Sequence, residues 1–122
     1  MHNKSNATVY VVNKGGHDFS AAERFGRIVY LSDGLLNKYS VGVMYRMFSA
    51  KLRNSRPGDY ILCTSLTQMN MVAASIMAVL HGKLNMLIYK DNGYVARTID
   101  FASLVSNDGA LADEDQLSFF EQ

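Results

Sequence analysis

Three polar clusters follow three strand-like apolar segments of this chain, and their residue types suit the binding of a phosphorylated ligand. The first cluster contains paired glycines, the second is a short Ser-Asp-Gly turn, and the third is rich in hydroxyl and amide groups. Glycine lets a backbone approach a ligand closely, while hydroxyl and amide groups suit phosphate or ribose. The candidate ligand-binding residues are Asn13, Gly15, Gly16, His17, Ser32, Asp33, Thr64, Ser65, Thr67 and Asn70.

The loop from Asn13 to Asp18 is the first of these candidate sites. Its glycines follow a strand-like segment, and the helix start that comes next offers unpaired backbone N–H groups to an anion. The loop matches neither G-x-G-x-x-G nor G-x-x-x-x-G-K-[ST], so it is neither a dinucleotide fingerprint nor a P-loop. The alternative interpretation is an ordinary strand-to-helix turn with Asp18 as the cap.

The segment from Thr64 to Asn70 is the stronger candidate. It joins a buried strand to the start of an apolar helix, and it holds more polar side chains than one helix cap requires. We therefore expect it to face the phosphate of a ligand. In the alternative interpretation, Ser65 or Thr67 caps the helix while the other polar side chains point into solvent.

Catalysis is not predicted, and neither a metal nor a cofactor is expected. His17 with Asp33 and Lys14 is the only acid–base set that the sequence offers, so a nucleotide-processing enzyme is a third possibility. The three histidines lack the spacing of metal ligands. Cys63 is the single cysteine, and its apolar surroundings favour a small buried hydrophobic residue over a nucleophile.

Strand and helix signals alternate along the chain in the order β-α-β-α-β-α-β-β. This order predicts an α/β fold, a three-layer Rossmann-like sandwich with a mostly parallel sheet and a C-terminal antiparallel hairpin at 91–93. The first three strands are expected to end at Val12, Leu31 and Cys63. Because the carboxyl ends of parallel strands share one edge, the three polar clusters should meet there.

Three helices should connect these strands. Ser20 and Glu23 have the spacing of a reciprocal capping box, and Ser40 is a candidate cap for the second helix. The third helix, from Thr67 to His81, is apolar on nearly every face and should be buried on more than one side, against the sheet and against the tail or another subunit. The second helix has a predicted apolar stripe of Val41, Met44, Tyr45, Phe48 and Leu52.

The chain of 122 residues divides by charge into a body and a tail. Residues 1–100 hold all 12 Lys and Arg with 6 of the 11 acids, a net charge of +6, and residues 101–122 hold 5 acids without a base. We expect one folded domain at 1–105 and an acidic tail at 106–122. The mild positive charge makes nucleic acid an unlikely partner, and no apolar run is long enough for a membrane, so a reducing cytoplasmic setting is expected.

The tail contains the short motif Gln116-Leu117-Ser118-Phe119-Phe120. It resembles the Gln-Leu-Ser/Asp-Leu-Phe peptide with which bacterial replication and repair proteins dock onto the sliding clamp, with Phe119 in place of Leu. The resemblance implies clamp docking through Gln116, Leu117, Phe119 and Phe120, and packing on the body or on another copy is the alternative. The whole chain also resembles small accessory proteins encoded by bacteriophages.

The leading prediction is thus a small non-catalytic binding module for a nucleotide or other phosphorylated ligand at the carboxyl edge of the sheet. The main alternative is an interaction or assembly protein. It would use the apolar third helix and the tail motif to form an oligomer or to dock onto the sliding clamp.

Overall fold

The computed structural model describes residues 6–105, which form a five-stranded sheet with helices packed on it. Strands β1 to β5 span Thr8–Val11, Arg27–Tyr30, Tyr60–Leu62, Lys83–Lys90 and Gly93–Asp100. A 3-10 helix spans Ser20–Phe25, and helices α1 to α3 span Val41–Leu52, Thr67–His81 and Ala102–Val105. The acidic tail, 106–122, lies outside the described residues, so the division into domain and tail stays a prediction.

The sheet is mixed, with the strand order β2-β1-β3-β4-β5. β1 pairs in parallel with β2 and with β3, and β3 pairs in parallel with β4. The pairing of β4 with β5 is antiparallel and joins eight residues of each strand, nearly as many as the three parallel pairings together. The predicted α/β class and the C-terminal hairpin are confirmed, whereas a mostly parallel sheet is too simple a description.

Helices α1 and α2 cover one face of the sheet and the 3-10 helix covers the other. Phe48 of α1 and Ala73 of α2 share a buried cluster with Tyr10 of β1. Ala22 of the 3-10 helix packs with Val9, whose side chain points to the opposite face from that of Tyr10. This division fits right-handed crossovers, because the connection from β1 to β2 and the later connections run in opposite directions across the sheet. Since the second face carries, among residues 6–105, only a short 3-10 helix, a three-layer Rossmann-like sandwich is not confirmed.

Residues with positive φ form two turns where the sequence predicts them. α2 ends at Gly82, whose φ is 68° and whose N–H donates to the Ala78 carbonyl at 2.8 Å. Asp91 and Asn92, with φ of 53° and 65°, form the loop between β4 and β5. Two successive residues with positive φ are typical of the hairpin turn whose twist matches that of its strands.

Side-chain capping differs from the prediction. The capping box between Ser20 and Glu23 does not form, because this segment is a 3-10 helix, whose winding is tighter than that of the α-helix the box requires. The Asp18 carboxylate instead accepts the backbone N–H of Ser20 at 2.9 Å, and this hydrogen bond lowers the pKa of Asp18. Ser40 directly precedes α1, but its side chain makes no capping hydrogen bond.

A buried carboxylate, that of Asp59, holds the amino edge of the sheet together. Its two oxygens accept the backbone N–H groups of Thr8 at 2.9 Å and Arg56 at 2.8 Å. Asn85 donates its side-chain amide to the Asp59 carbonyl at 3.0 Å. Burial raises the pKa of the Tyr10 hydroxyl, and the Asp59 carboxylate adds to this increase. One acid thus links the starts of β1, β3 and β4.

Candidate functional site

The ends of β1, β2 and β3 lie side by side at the carboxyl edge of the sheet. Hydrogen bonds continue past the strands, since Leu31 donates its N–H to the Val11 carbonyl and Lys14 donates its N–H to the Ser32 carbonyl, both at 2.8 Å. Of these three strands, β1 lies between β2 and β3. The loops after β1 and β3 lead to helices on opposite faces of the sheet. The structure therefore brings the three predicted clusters to one edge.

Asn13 and Ser32, from the first two clusters, are bonded to each other. The buried Ser32 hydroxyl lies 2.7 Å from the Val12 carbonyl oxygen and 3.1 Å from Asn13 Oδ1. Asn13 donates its amide to the Gly34 carbonyl at 2.9 Å. These hydrogen bonds join the loop after β1 to the loop after β2, so both side chains already serve the fold.

The third cluster contains a similar internal pair. The Thr64 hydroxyl lies 3.0 Å from Asn70 Oδ1, and Asn70 donates its amide to the Thr64 carbonyl at 2.8 Å. Thr64 Oγ1 also accepts the N–H of Leu66 at 3.1 Å. Ser65 and Thr67 are exposed beside the first turn of α2, and within residues 6–105 neither side chain is hydrogen-bonded. Two hydroxyls therefore remain free to meet a ligand.

The remaining predicted residues surround the same edge without joining one another. The exposed His17 ring lies against Phe19, with centroids 6.1 Å apart, and in the described part of the chain it makes no hydrogen bond to Asp33. A Cβ at Gly15 or Gly16 would meet no atom within 4 Å, and neither glycine has positive φ. The fold itself does not require glycine at these two positions.

Cys63 follows β3 directly, and its N–H donates to the Leu87 carbonyl at 2.9 Å. Its side chain is half-buried, and burial raises the pKa of the thiol, which disfavours the reactive thiolate. Among residues 6–105, no group of three or more His, Cys, Asp or Glu side chains is arranged to hold a metal ion. The described part of the sheet edge thus offers hydroxyls, backbone groups and a thiol whose pKa burial raises.

A groove of about 790 Å³ between α1 and α2 is a feature that the sequence does not predict. It lies on the outer side of the two helices, away from the sheet. The groove runs from Val41 and Met71, near the starts of the helices, to Arg53 and Leu80 at their ends. The apolar lining of this α1–α2 groove includes Val41, Tyr45, Met71, Ile76, Val79 and Leu80.

The apolar side chains of the groove are exposed. Val79 is 85% exposed, Met71 is 64% exposed and Tyr45 is 58% exposed. On α2, only Met69, Ala73 and Met77 are buried. Within residues 6–105, the sheet and α1 cover one side of this helix and its outer face is exposed, so burial of that face against the tail or another subunit stays a prediction.

The apolar stripe of α1 divides between the core and the groove. Met44, Phe48 and Leu52 are fully buried, whereas Val41 and Tyr45 line the groove. Adjacent residues differ by about 100° around an α-helix, so a stripe containing both Met44 and Tyr45 is too wide to face the sheet throughout. The apolar surface all around α2 is the signal that predicted a second contact surface, and the width of the α1 stripe is the signal that α1 shares it.

The helices of the groove carry bases and no carboxylate. α1 contains Arg46 and Lys51, and Arg53 follows α1 and lines the groove. Lys51 donates its ammonium group to the Tyr30 carbonyl at 2.8 Å. Within residues 6–105, Arg46 and Arg53 form no ion pair. The groove therefore combines an apolar lining with uncompensated positive charge.

Fold and site together define a small mixed α/β protein with a polar sheet edge and an apolar groove between two helices. The family model described as Phage Pam3 gp32-like protein matches residues 7–101, so the chain belongs to the phage Pam3 gp32-like family. The predicted resemblance to phage proteins is confirmed at this level. No curated protein and no solved structure matches the chain.

In the described part of the chain, no helix is both long enough and apolar enough to cross a membrane.

Proposed function

We propose that the protein is a non-catalytic interaction module that binds an apolar, acidic segment of a partner protein in the α1–α2 groove. The groove itself carries this proposal, because its volume of about 790 Å³ is lined by apolar side chains that remain exposed. Contiguous exposed apolar surface is typical of interaction sites. A phosphorylated small molecule suits the groove less well, since among residues 6–105 Arg53 is the only charged group in its lining.

The shape and charge of the groove favour a short helical segment as the occupant. α1 has 12 residues, which corresponds to a length of about 18 Å at 1.5 Å per residue. An amphipathic helix fills such a groove with apolar side chains at i, i+3 or i+4, and i+7. Arg53 at one end and Arg46 on α1 favour carboxylates at the margin of that segment.

Site-specific photocrosslinking in the cells that naturally make the protein tests this proposal. A benzophenone amino acid at Tyr45, in the groove, should crosslink to a partner segment that mass spectrometry identifies as apolar and acidic. The matched control position is Tyr89, which lies on β4, away from the groove. The exposed fractions of the two side chains are nearly equal, 59% for Tyr89 and 58% for Tyr45. Tyr89 should give no crosslink to that segment.

A charge in the groove should abolish most of this crosslinking. Val79→Asp places a carboxylate in the apolar lining, and a loss of about 1.4 kcal/mol in binding corresponds to a tenfold lower affinity. Val43→Asp is the matched control, because Val43 is an exposed valine of α1 outside the groove. A basic or wholly polar crosslinked segment, or equal yields for both variants, would contradict the proposal.

A ligand site at the carboxyl edge of the sheet is the second candidate function. It is supported by the convergence of three strand ends and by the free hydroxyls of Ser65 and Thr67. The loops after β1 and β3 diverge to opposite faces, as at the ligand-binding crevice of a Rossmann-like sheet. The ligand would be a nucleotide or other phosphorylated molecule, and the module would bind it without turnover.

Thermal denaturation with a panel of nucleotides and cyclic nucleotides tests the second candidate. A ligand at 100 times its Kd adds about 2.7 kcal/mol of stability, which raises the Tm of a domain this size by roughly 10 °C. Ser65→Ala and Gly16→Val should reduce this rise without lowering the Tm of the free protein, because Ser65 is exposed and a side chain at Gly16 meets open space. An unchanged Tm across the panel would contradict nucleotide binding at this edge.

Three further predictions concern residues or settings that the structure does not describe. Docking onto the sliding clamp would use Gln116, Leu117, Phe119 and Phe120, all outside the described residues. A cytoplasmic location and homo-oligomer formation likewise remain proposals.

A further inference from the structure

The end of β5 lies beside one end of the α1–α2 groove. After β5, the Phe101 N–H donates to the Gly82 carbonyl at 2.9 Å, at the C-terminal end of α2. The Phe101 side chain packs against the core cluster beneath α1 and α2. Val79 and Leu80, which line that end of the groove, immediately precede this point in α2. Phe101 therefore lies near the Arg53 end of the groove, and the described chain ends four residues later, at Val105.

The acidic tail is long enough to reach every part of the groove. The groove follows helices of 12 and 15 residues, so its length is about 20 Å. The 11 residues between α3 and Leu117 span up to roughly 35 Å when extended. Leu117, Phe119 and Phe120 can therefore reach either end of the groove without any movement of the body.

The charges favour the tail over a second copy of the groove. Residues 106–122 contain five acids and no base, together with apolar side chains, whereas the groove helices contain bases and no acid. A two-fold dimer that buried the groove against itself would place the bases of both copies, Arg46 and Arg53, at one interface to which neither α1 nor α2 contributes a carboxylate. Such like charges repel, while the tail supplies both apolar groups and carboxylates.

We propose that residues 106–122 of the same chain occupy the α1–α2 groove and compete there with the partner segment. Phe119 and Phe120 fill the apolar lining, and the acids of the tail lie beside Arg46 and Arg53. This inference rests on the proposed function for the kind of segment that the groove accepts. The tail thereby keeps the interaction surface covered until a partner displaces it.

Methionine methyl NMR of the full chain tests the tail as occupant. Met71 lines the groove and Met47 is an exposed methionine of α1 outside it, so one protein contains both probe and control. Phe119→Ser with Phe120→Ser should shift the Met71 methyl resonance, because the ring currents of two aromatic side chains are lost. The Met47 resonance should stay in place. Ser118→Ala, in the same motif, should leave both resonances unchanged.

The outcomes separate this inference from the proposed function. An unchanged Met71 resonance in the double variant would overturn the inference, even if Tyr45 still crosslinks to an acidic partner segment. The Met71 shift could also depend on the tail but grow with protein concentration, together with a doubled mass in light scattering. That result would assign the groove to the tail of a second copy and overturn the intramolecular version. A tail-dependent, concentration-independent shift in a monomer supports the inference, whether or not a crosslinked partner is found.

Discussion

Asp59→Ala should lower the free energy of unfolding by about 3 kcal/mol, because it leaves two backbone N–H groups without their acceptor in a buried site. The carboxylate accepts the N–H groups of Thr8 and Arg56, and Asp59 itself is only 2% exposed. Both donors lie near the starts of strands, so the loss should loosen the amino edge of the sheet. Urea denaturation followed by circular dichroism measures the change.

Two further variants identify the cause of this loss. Asp59→Asn keeps one acceptor oxygen and should recover part of the stability. Asp33→Ala removes an exposed carboxylate of the same charge and should change stability by less than about 0.5 kcal/mol. Equal losses in Asp59→Ala and Asp33→Ala would mean that net charge, and not the buried hydrogen bonds, controls stability.

Gly26→Ala should also cost about 3 kcal/mol, because its methyl group has no room. A Cβ at Gly26 would lie 2.2 Å from the carbonyl oxygen of Ala7 and 2.7 Å from the Ala7 carbonyl carbon. The same carbonyl accepts the N–H of Arg27 at 3.2 Å. Main-chain atoms must therefore move, and the pairing of β1 with β2 should weaken at its first residues.

Gly58→Ala is the matched control for this substitution. A Cβ at Gly58 meets nothing within 4 Å and its φ is not positive, so the change should be neutral or slightly stabilising. Hydrogen exchange should locate the weakening in Gly26→Ala at β1 and β2, with β4 and β5 remaining protected. A Gly26→Ala protein as stable as the Gly58→Ala protein would show that the close approach to Ala7 is not maintained in solution.

If the tail covers the α1–α2 groove, this contact would explain why one short chain contains both an exposed apolar groove and an apolar tail motif. The groove exposes Val79 and Met71, and the tail contains Phe119 and Phe120. Each would be an aggregation hazard if left uncovered, because large exposed apolar patches associate without specificity. If the tail also docks onto a sliding clamp, the same two phenylalanines would be released from the groove first.

The order of the elements could be read from the sequence because local signals specify it. α2 spans Thr67–His81 as predicted, since Gly82 stops the helix and apolar residues fill the positions before it. The hairpin at Asp91 and Asn92 was equally predictable, because few residues tolerate positive φ. Such signals act between neighbours in the chain, so no tertiary contact is needed to interpret them.

The function of the polar clusters could not be read in the same way. Asn13, Ser32, Thr64 and Asn70 have the chemistry of ligand-binding groups, but each is hydrogen-bonded within the fold. A sequence shows which groups can donate or accept hydrogen bonds, but it does not show their partners. For Asn13 and Ser32, the hydrogen-bond partners lie about 20 residues away in the chain. Only the tertiary structure separates these residues from the free hydroxyls of the same edge.

By itself, the sequence determined that three strand ends share one edge and that α1 and α2 are amphipathic or apolar. The tertiary structure alone decided which apolar residues are buried. Met44 faces the sheet while its neighbour Tyr45 lines an open groove, although both belong to one predicted stripe. The physical reason is that hydrophobic burial depends on what packs against a side chain, and α2 approaches α1 only through contacts between residues distant in sequence.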